Sequence, residues 1–279
     1  MLRNTHPGIK PKKSLGQNFL IDENIVKKIF RELQIASDDV MLEIGPGRGE
    51  LTARIAESSR HLIIVEIDGR IIEYLRQRFS SPRVTIIHGD FLETDLESFS
   101  RLYRKKLRIV GNIPYHLTSQ ILLKVFENTQ YIRDASFMVQ REVARRIISE
   151  PSTKEYGILS VYSRFYGTPK ILFNVSPSCF YPKPKVTSSF MQIKLHQTHP
   201  YGIEDGIFRT VVRTAFGKRR KTLRNSLKYL PFEAKTAERI AEGIDFPLEK
   251  RPEQLSVEEF VLLARQVESF IKNSDKQSQ

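Results

Sequence analysis

Asn112-Ile113-Pro114-Tyr115 sets an amide, a rigid imino acid and an aromatic ring in consecutive positions. The preceding residues, Leu107-Arg108-Ile109-Val110-Gly111, read as a buried strand, so these groups are presented where a strand gives way to a loop. In an open α/β sheet that edge is where ligands sit. An amide oxygen and a backbone carbonyl are both acceptors. Together they could take the two hydrogens of an exocyclic base amine, whose lone pair is otherwise delocalised into its ring. Proline fixes the direction of the backbone, and tyrosine offers a face on which a base stacks. The same residues also suit an ordinary strand-ending turn. The choice depends on what the rest of the chain brings to the same edge.

Other strand ends carry polar groups. The apolar run 40–44 leads into Gly45-Pro46-Gly47-Arg48-Gly49 and then a helix from Glu50. Glu50 stands where a dinucleotide fingerprint needs its last glycine, and no Gly-Lys-Ser/Thr ending follows. With Glu43 before it and Glu50 after it, the loop suits a neutral or cationic ligand better than a pyrophosphate. The run 61–65 ends at Glu66-Ile67-Asp68. Glu66 falls about twenty residues beyond Gly45, the spacing at which an acid reaches a ribose diol; it could equally be solvated while Asp68 caps a helix. The run 83–87 ends at His88-Gly89-Asp90-Phe91. Asp90 could accept from an adenine amine or serve as a turn residue. Phe137, in the run 135–139, is a candidate second aromatic against a target base or a core residue. Upstream, Ser14 to Leu20 sets polar amides beside Phe19 and Leu20, which could cover a ligand or anchor the arm.

The elements that must position these groups alternate strand and helix over residues 40–150, which implies a parallel sheet with helices on both faces. The strands 171–175 and 186–195 lack a helical crossover and are expected as an antiparallel pair at one edge. Between them, Pro177 to Lys185 is a stiff loop with two aromatics and two lysines, a candidate base or RNA contact or a rigid connection. Beyond Leu195 the pattern becomes helical over 207–230, broken near Gly217, then 233–242 and 256–271, with Ser256 and Glu259 as a capping box. The expected division is a basic arm over 1–21, an α/β domain over 22–200, a small all-helical domain over 201–272 and a disordered tail over 273–279.

The chain has 279 residues, 40% hydrophobic and 28% charged, with a net charge of +13. That imbalance argues for a polyanionic partner, nucleic acid ahead of a membrane. Lys218, Arg219, Arg220, Lys221 and Arg224 lie in a stretch without acids between Asp205 and Glu233, and such a run repels itself unless an anion relieves it. No apolar run is long enough to span a bilayer, and the N-terminus does not read as a secretory signal. The single cysteine, Cys179, excludes an intramolecular disulfide and fits a reducing, cytoplasmic setting. The six histidines lack ligand spacing, so no metal is expected.

Taken together, Gln17-Asn18-Phe19-Leu20, Glu43-Ile44-Gly45-Pro46-Gly47-Arg48-Gly49, Asn112-Ile113-Pro114-Tyr115 and Phe137-Met138-Val139-Gln140 resemble the motifs of the KsgA/RsmA family of small-subunit rRNA adenine dimethyltransferases. Tyr156 to Ser160, Phe180 to Val186 and Arg219 to Leu227 continue the likeness, which covers residues 12–270 or so. The resemblance implies a Rossmann-like S-adenosylmethionine-dependent methyltransferase sheet with a helical C-terminal domain. It implies dimethylation of two adjacent adenines near the 3′ end of small-subunit rRNA during ribosome biogenesis. It assigns Asn18, Leu20, Gly45, Glu66, Asp90 and Asn112 to the cofactor. Asn112 and Pro114 would hold the target amine, Tyr115 would stack on the target base, and Phe137 resembles the family's other stacking aromatic. The implied partners are small-subunit rRNA and the pre-ribosomal small subunit; a monomer is expected, although no motif bears on oligomeric state. Ile113 and His116 depart from the commoner Leu and Asn and blur the boundary with large-subunit methylases that confer antibiotic resistance. A third reading is an assembly factor that binds immature subunits, with methylation secondary.

Overall fold

The structure, a computed structural model, describes residues 9–277 apart from 199, 219, 220 and 233. In chain order the elements are β1 (Phe19–Leu20), α1 (Glu23–Leu33), β2 (Val40–Ile44), α2 (Glu50–Ser58), β3 (His61–Glu66), α3 (Gly69–Arg78), β4 (Val84–His88), α4 (Leu96–Tyr103), β5 (Leu107–Asn112), α5 (Thr118–Glu127), β6 (Ile132–Gln140), α6 (Arg141–Ile148), α7 (Ile158–Tyr166), β7 (Gly167–Val175), β8 (Phe180–Tyr181), β9 (Ser188–Leu195), α8 (Asp205–Gly217), α9 (Leu223–Leu227), α10 (Ala234–Gly243) and α11 (Val257–Gln277).

Strands β2, β3 and β5 are apolar almost throughout, because a parallel sheet is covered on both faces. The sheet order is β4-β3-β2-β5-β6-β9-β7. All neighbours are parallel except β9, which runs antiparallel to both β6 and β7. The expected antiparallel edge pair is present. From β2 the chain winds outward through β3 and β4, then returns to the other side of β2 as β5. The carboxyl ends of β2 and β5 therefore flank a topological switch point, the ligand crevice of such sheets. Ile44 is in register with Gly111, so Gly45 and Asn112 leave neighbouring strands at one level. A Cβ on Gly111 would stand 2.9 Å from the Ile44 carbonyl oxygen, which is why glycine occupies that position.

Asp22 caps α1 by accepting the Asn24 N–H at 2.9 Å, as its spacing predicts. Helix α4 is not anticipated above; its signal is Asp95, which accepts the Ser98 N–H at 3.1 Å. Nor is the two-stranded ladder of β1 and β8, which pairs Phe19 with Tyr181 and Leu20 with Phe180 and docks the described part of the N-terminal arm. The first eight residues of the arm lie outside the described residues.

The chain divides into two compact units. One takes the described residues of Met1–Ala144 with Gly167–Gln197; the other takes the described residues of Arg145–Tyr166 and Thr198–Gln279. This differs from the boundary expected near residue 200, because 145–166 join the helical unit. The reason is aromatic packing. Within that unit Phe165 stacks on Phe208 with ring centroids 3.6 Å apart, and the buried Tyr156 and Tyr162 donate to the carbonyls of Leu255 (2.8 Å) and Arg209 (3.1 Å). Burying each such ring contributes about 1.5–3 kcal/mol, which periodicity marks as helical without saying which core receives it. The tail expected to be disordered from 273 is helical to Gln277, since no glycine or proline follows Ile271 to stop α11. The Ser256–Glu259 capping box forms as expected, with reciprocal bonds of 3.2 and 2.9 Å.

A buried charge sits near the start of β5. Arg108 is 3% exposed; it donates to Asp39 at 2.6 Å, to Asp134 at 2.9 Å and to the Leu33 carbonyl at the end of α1 at 2.6 Å. The half-exposed Arg133 also pairs with Asp39 at 2.9 Å and Asp134 at 3.5 Å, so removing Arg108 leaves two buried carboxylates to one guanidinium. Arg108→Ala is expected to lower stability in urea unfolding at neutral pH by about 3–5 kcal/mol, with a smaller deficit in acid, where the orphaned carboxyls take up protons.

Candidate active site at the carboxyl edge of the sheet

A cavity of about 330 Å³ opens beyond the carboxyl ends of the central strands. Asn18 and Leu20 line it from the arm, Gly45 from the turn after β2 and Glu66 from the end of β3. Asp90 lines it after β4, as do Asn112, Pro114 and Tyr115 at and after the end of β5. Phe137 does not. It is mid-strand in β6, fully buried between Gly111 of β5 and Met191 of β9. Strand alternation turns its neighbour Met138, in register with Asn112, to the cavity instead. The structure therefore does not bring Phe137 to the site, and the sequence reading missed Met138 and Phe190, which line it.

Two buried carboxylates dominate the electrostatics. Glu66 is 5% exposed; its Oε1 accepts the backbone N–H groups of Ile67 and Asp68, both at 2.9 Å, which leaves Oε2 for a ligand. Burial raises its pKa, and those two bonds oppose the rise. Glu43 accepts the Thr52 hydroxyl at 2.7 Å, and burial pushes it up to about 7, with Glu50 and Glu66 adding repulsion. Between them Gly45 adopts φ +60°, and a Cβ there would meet nothing within 4 Å, so the turn leaves backbone open to a ligand. Asp90 accepts the Leu92 N–H at 2.8 Å through Oδ1, combining the turn role with a free Oδ2.

The arm is fastened over this edge. Gln17 donates to Asp68 at 3.1 Å, the Lys12 ammonium lies 3.5 Å from the same carboxylate, and Arg48 reaches the Ile9 carbonyl at 3.3 Å. The Asp68 carboxyl is held well below the usual range, chiefly by its bonds to Arg70. Asn112 donates its amide nitrogen to the Asn18 carbonyl at 2.7 Å, leaving Oδ1 as an acceptor. The Pro114 carbonyl accepts the Leu117 N–H at 3.0 Å, so one of its two lone pairs is spent on the turn. The Tyr115 hydroxyl shares a 2.7 Å bond with the Ser188 hydroxyl, which fixes the ring; Ser188 was not singled out from sequence. Burial raises the Tyr115 pKa and keeps the phenol neutral.

In the helical unit the Lys218 and Lys221 ammonium groups lie 4.7 and 5.3 Å from the ring centroid of the exposed Tyr229. Arg224 pairs with Glu249 at 2.9 Å. Arg219 and Arg220 lie outside the described residues. Among the described residues no three His, Cys, Asp or Glu converge as a metal set, and no helix is long and apolar enough to cross a membrane.

The ribosomal RNA adenine dimethylase family model matches residues 8–267. The chain belongs to that family. Members similar to it include ribosomal RNA small subunit methyltransferase A of Chlorobium phaeobacteroides, 40% identical over 96% of each chain. The protein of the same name in Flavobacterium johnsoniae is 41% identical over 94% of this chain and 97% of its own. A dimethyladenosine transferase from Plasmodium falciparum shares the fold with a TM-score of 0.77 at 22% identity, over 90% of this chain and 98% of its own. The 23S rRNA methyltransferase ErmE does so with a TM-score of 0.65 at 24% identity, over 90% and 100%. The Rossmann-like methyltransferase fold expected from sequence is the one observed, and the chain is a methyltransferase of this family.

Glu43→Gln keeps the Thr52 contact and removes a carboxyl that ionises at about 7 in the folded chain but near 4.5 when exposed. The folded protein thus holds a proton that the unfolded chain releases across that window, and Glu43 destabilises the fold increasingly as pH rises through it. The variant is expected to match the parent at pH values below the window and to exceed it by up to about 3 kcal/mol above it, in urea unfolding without ligand.

Proposed function

We propose that this chain transfers methyl groups from S-adenosylmethionine to the 6-amino groups of two adjacent adenines near the 3′ end of small-subunit rRNA, in the cytoplasm, during assembly of that subunit. The observation that carries the reading is the convergence of Glu66, Asp90, Asn112, Pro114 and Tyr115 on one cavity. The names of the relatives supply the substrate class.

The residues present suit the cofactor. Glu43 and Glu66 are costly to ionise in a cavity without a cation, and a ligand bearing sulfonium and ammonium groups relieves both. Glu66 Oε2 is an acceptor for ribose hydroxyls, Asp90 Oδ2 for an adenine amine, and the Gly45 turn and Asn18 and Leu20 of the arm border the rest. When bound, S-adenosylmethionine supplies an electrophilic methyl group on sulfur.

The remaining work is alignment. Asn112 Oδ1 and the free lone pair of the Pro114 carbonyl accept the hydrogens of the target amine, which draws its nitrogen towards a tetrahedral, nucleophilic shape. Tyr115 stacks on the base. No strong general base is needed, because the cation formed on an aromatic amine is very acidic. Positioning of this kind can supply most of a displacement's acceleration.

Asn112→Ala is expected to lower turnover by about 10²–10³-fold while calorimetry still detects cofactor binding. The assay uses small-subunit particles lacking the modification, with primer extension to map modified adenines. Unchanged turnover removes Asn112 from the chemistry, and modification of large-subunit adenines instead overturns the substrate assignment.

The basic residues Lys218, Arg219, Arg220, Lys221 and Arg224 are proposed to hold rRNA phosphates. Arg224 must then exchange Glu249 for phosphate, a small loss because exposed pairs contribute at most about 1 kcal/mol. With these five contacts, log K should fall against log salt with a slope of about −3.5 to −4.5. A flat response in filter binding refutes this electrostatic model.

A further inference from the structure

The segment 181–187 is not used by the proposed chemistry, yet both its ends are fixed to residues of the cavity wall. At one end Phe180 pairs with Leu20 and Tyr181 with Phe19. At the other, Ser188 bonds the Tyr115 hydroxyl at 2.7 Å, and the Thr187 carbonyl accepts the Arg141 N–H at 3.0 Å. Leu20 and Tyr115 both line the cavity, so the segment is anchored at both ends beside it, although none of its own residues lines it. Phe180 is buried in the core, whereas Tyr181 is 54% exposed and does not line the cavity.

The segment is basic and aromatic. Lys183 and Lys185 are exposed and, among the described residues, neither has an ion-pair partner. Arg141, also exposed, adds a third cation beside Thr187. No acid occurs between Glu155 and Glu204. Pro182 and Pro184 restrict the backbone on either side of Lys183, so little freedom is lost when a ligand docks. An exposed aromatic with unpaired cations on a preorganised backbone is the chemistry that binds single-stranded nucleic acid. A protein partner fits less well, since lysine is depleted at the centres of protein interfaces.

We propose that 181–187 is a docking ridge for the unpaired nucleotides that flank the target adenine: Tyr181 stacks on a neighbouring base, and Lys183, Lys185 and Arg141 hold its phosphates. The inference rests on the reading of an RNA adenine substrate given above and adds a contact outside the cavity. It makes Tyr181 a determinant of how the strand enters, separate from Tyr115, which meets the base that reacts.

The test uses the full-length protein, a short oligouridine followed by fluorescence anisotropy, and methyl transfer to small-subunit particles. Tyr181→Ala is expected to weaken oligouridine binding about 5-fold or more and to raise KM for particles in proportion, with kcat and cofactor affinity unchanged. Tyr181→Phe should restore both. Replacing Lys183 and Lys185 by Gln should make the salt slope shallower by about 1.4 for a single strand. Parental oligouridine affinity in Tyr181→Ala, failure of Phe to restore it, or an unchanged salt slope in the lysine variant each overturns the ridge. A raised particle KM with parental oligouridine affinity assigns the surface to a protein and overturns it too. Oligouridine contains no methylatable adenine, so this arm stands apart from the catalytic reading, which fails if the parent leaves small-subunit particles unmodified.

Discussion

One hydrogen bond decides what the site can do: the Asn112 amide nitrogen donates to the Asn18 carbonyl at 2.7 Å. An amide has a donor end and an acceptor end, and this bond commits the donor, so the oxygen remains for a substrate. The arm is therefore part of the site and not merely its cover. Two other constraints hold the bond in place. Gly111 lets β5 lie against β2 closely enough to bring Asn112 level with the glycine turn. The β1–β8 ladder, beginning at Phe19, fixes the backbone directly after Asn18. This corner of the cavity thus depends on contacts far apart in the chain.

The electrostatics separate two kinds of ligand. The cavity wall carries Glu43 and Glu66, both buried and both raised in pKa because water is withheld from them. Such a wall repels phosphate and attracts a cation, which explains why the glycine turn lacks the lysine and hydroxyl of a phosphate cradle. The chain as a whole carries a net charge of +13 and attracts a polyanion. A small cation inside and a long anion outside can then be bound together without competing for the same groups.

What was legible in the sequence follows from locality. The central strands were readable because burial on both faces makes them continuous apolar runs, and the polar groups at their ends could be matched to a switch point. The spacing of Glu66 after Gly45 is set by one strand–helix–strand unit, so it too survives as a pattern. Phe137 was misplaced because its face depends on register, and a shift of one residue exchanges it for Met138. Ser188 and the Asn18 carbonyl act across 73 and 94 residues, a separation no local window spans. Which core receives the rings of α7 is a property of tertiary packing that no local pattern states.

Strand β5 shows how these demands coexist in six residues. Near its start, Arg108 and the half-exposed Arg133 together balance the buried carboxylates of Asp39 and Asp134, so every charge there has a partner. At its other end the Asn112 amide commits its donor to the Asn18 carbonyl, and Glu43 and Glu66 of the same cavity are buried where ionisation is unfavourable. The fully paired cluster anchors the strand at the end away from the chemistry. The opposite end, half-buried, presents Asn112 to the cavity.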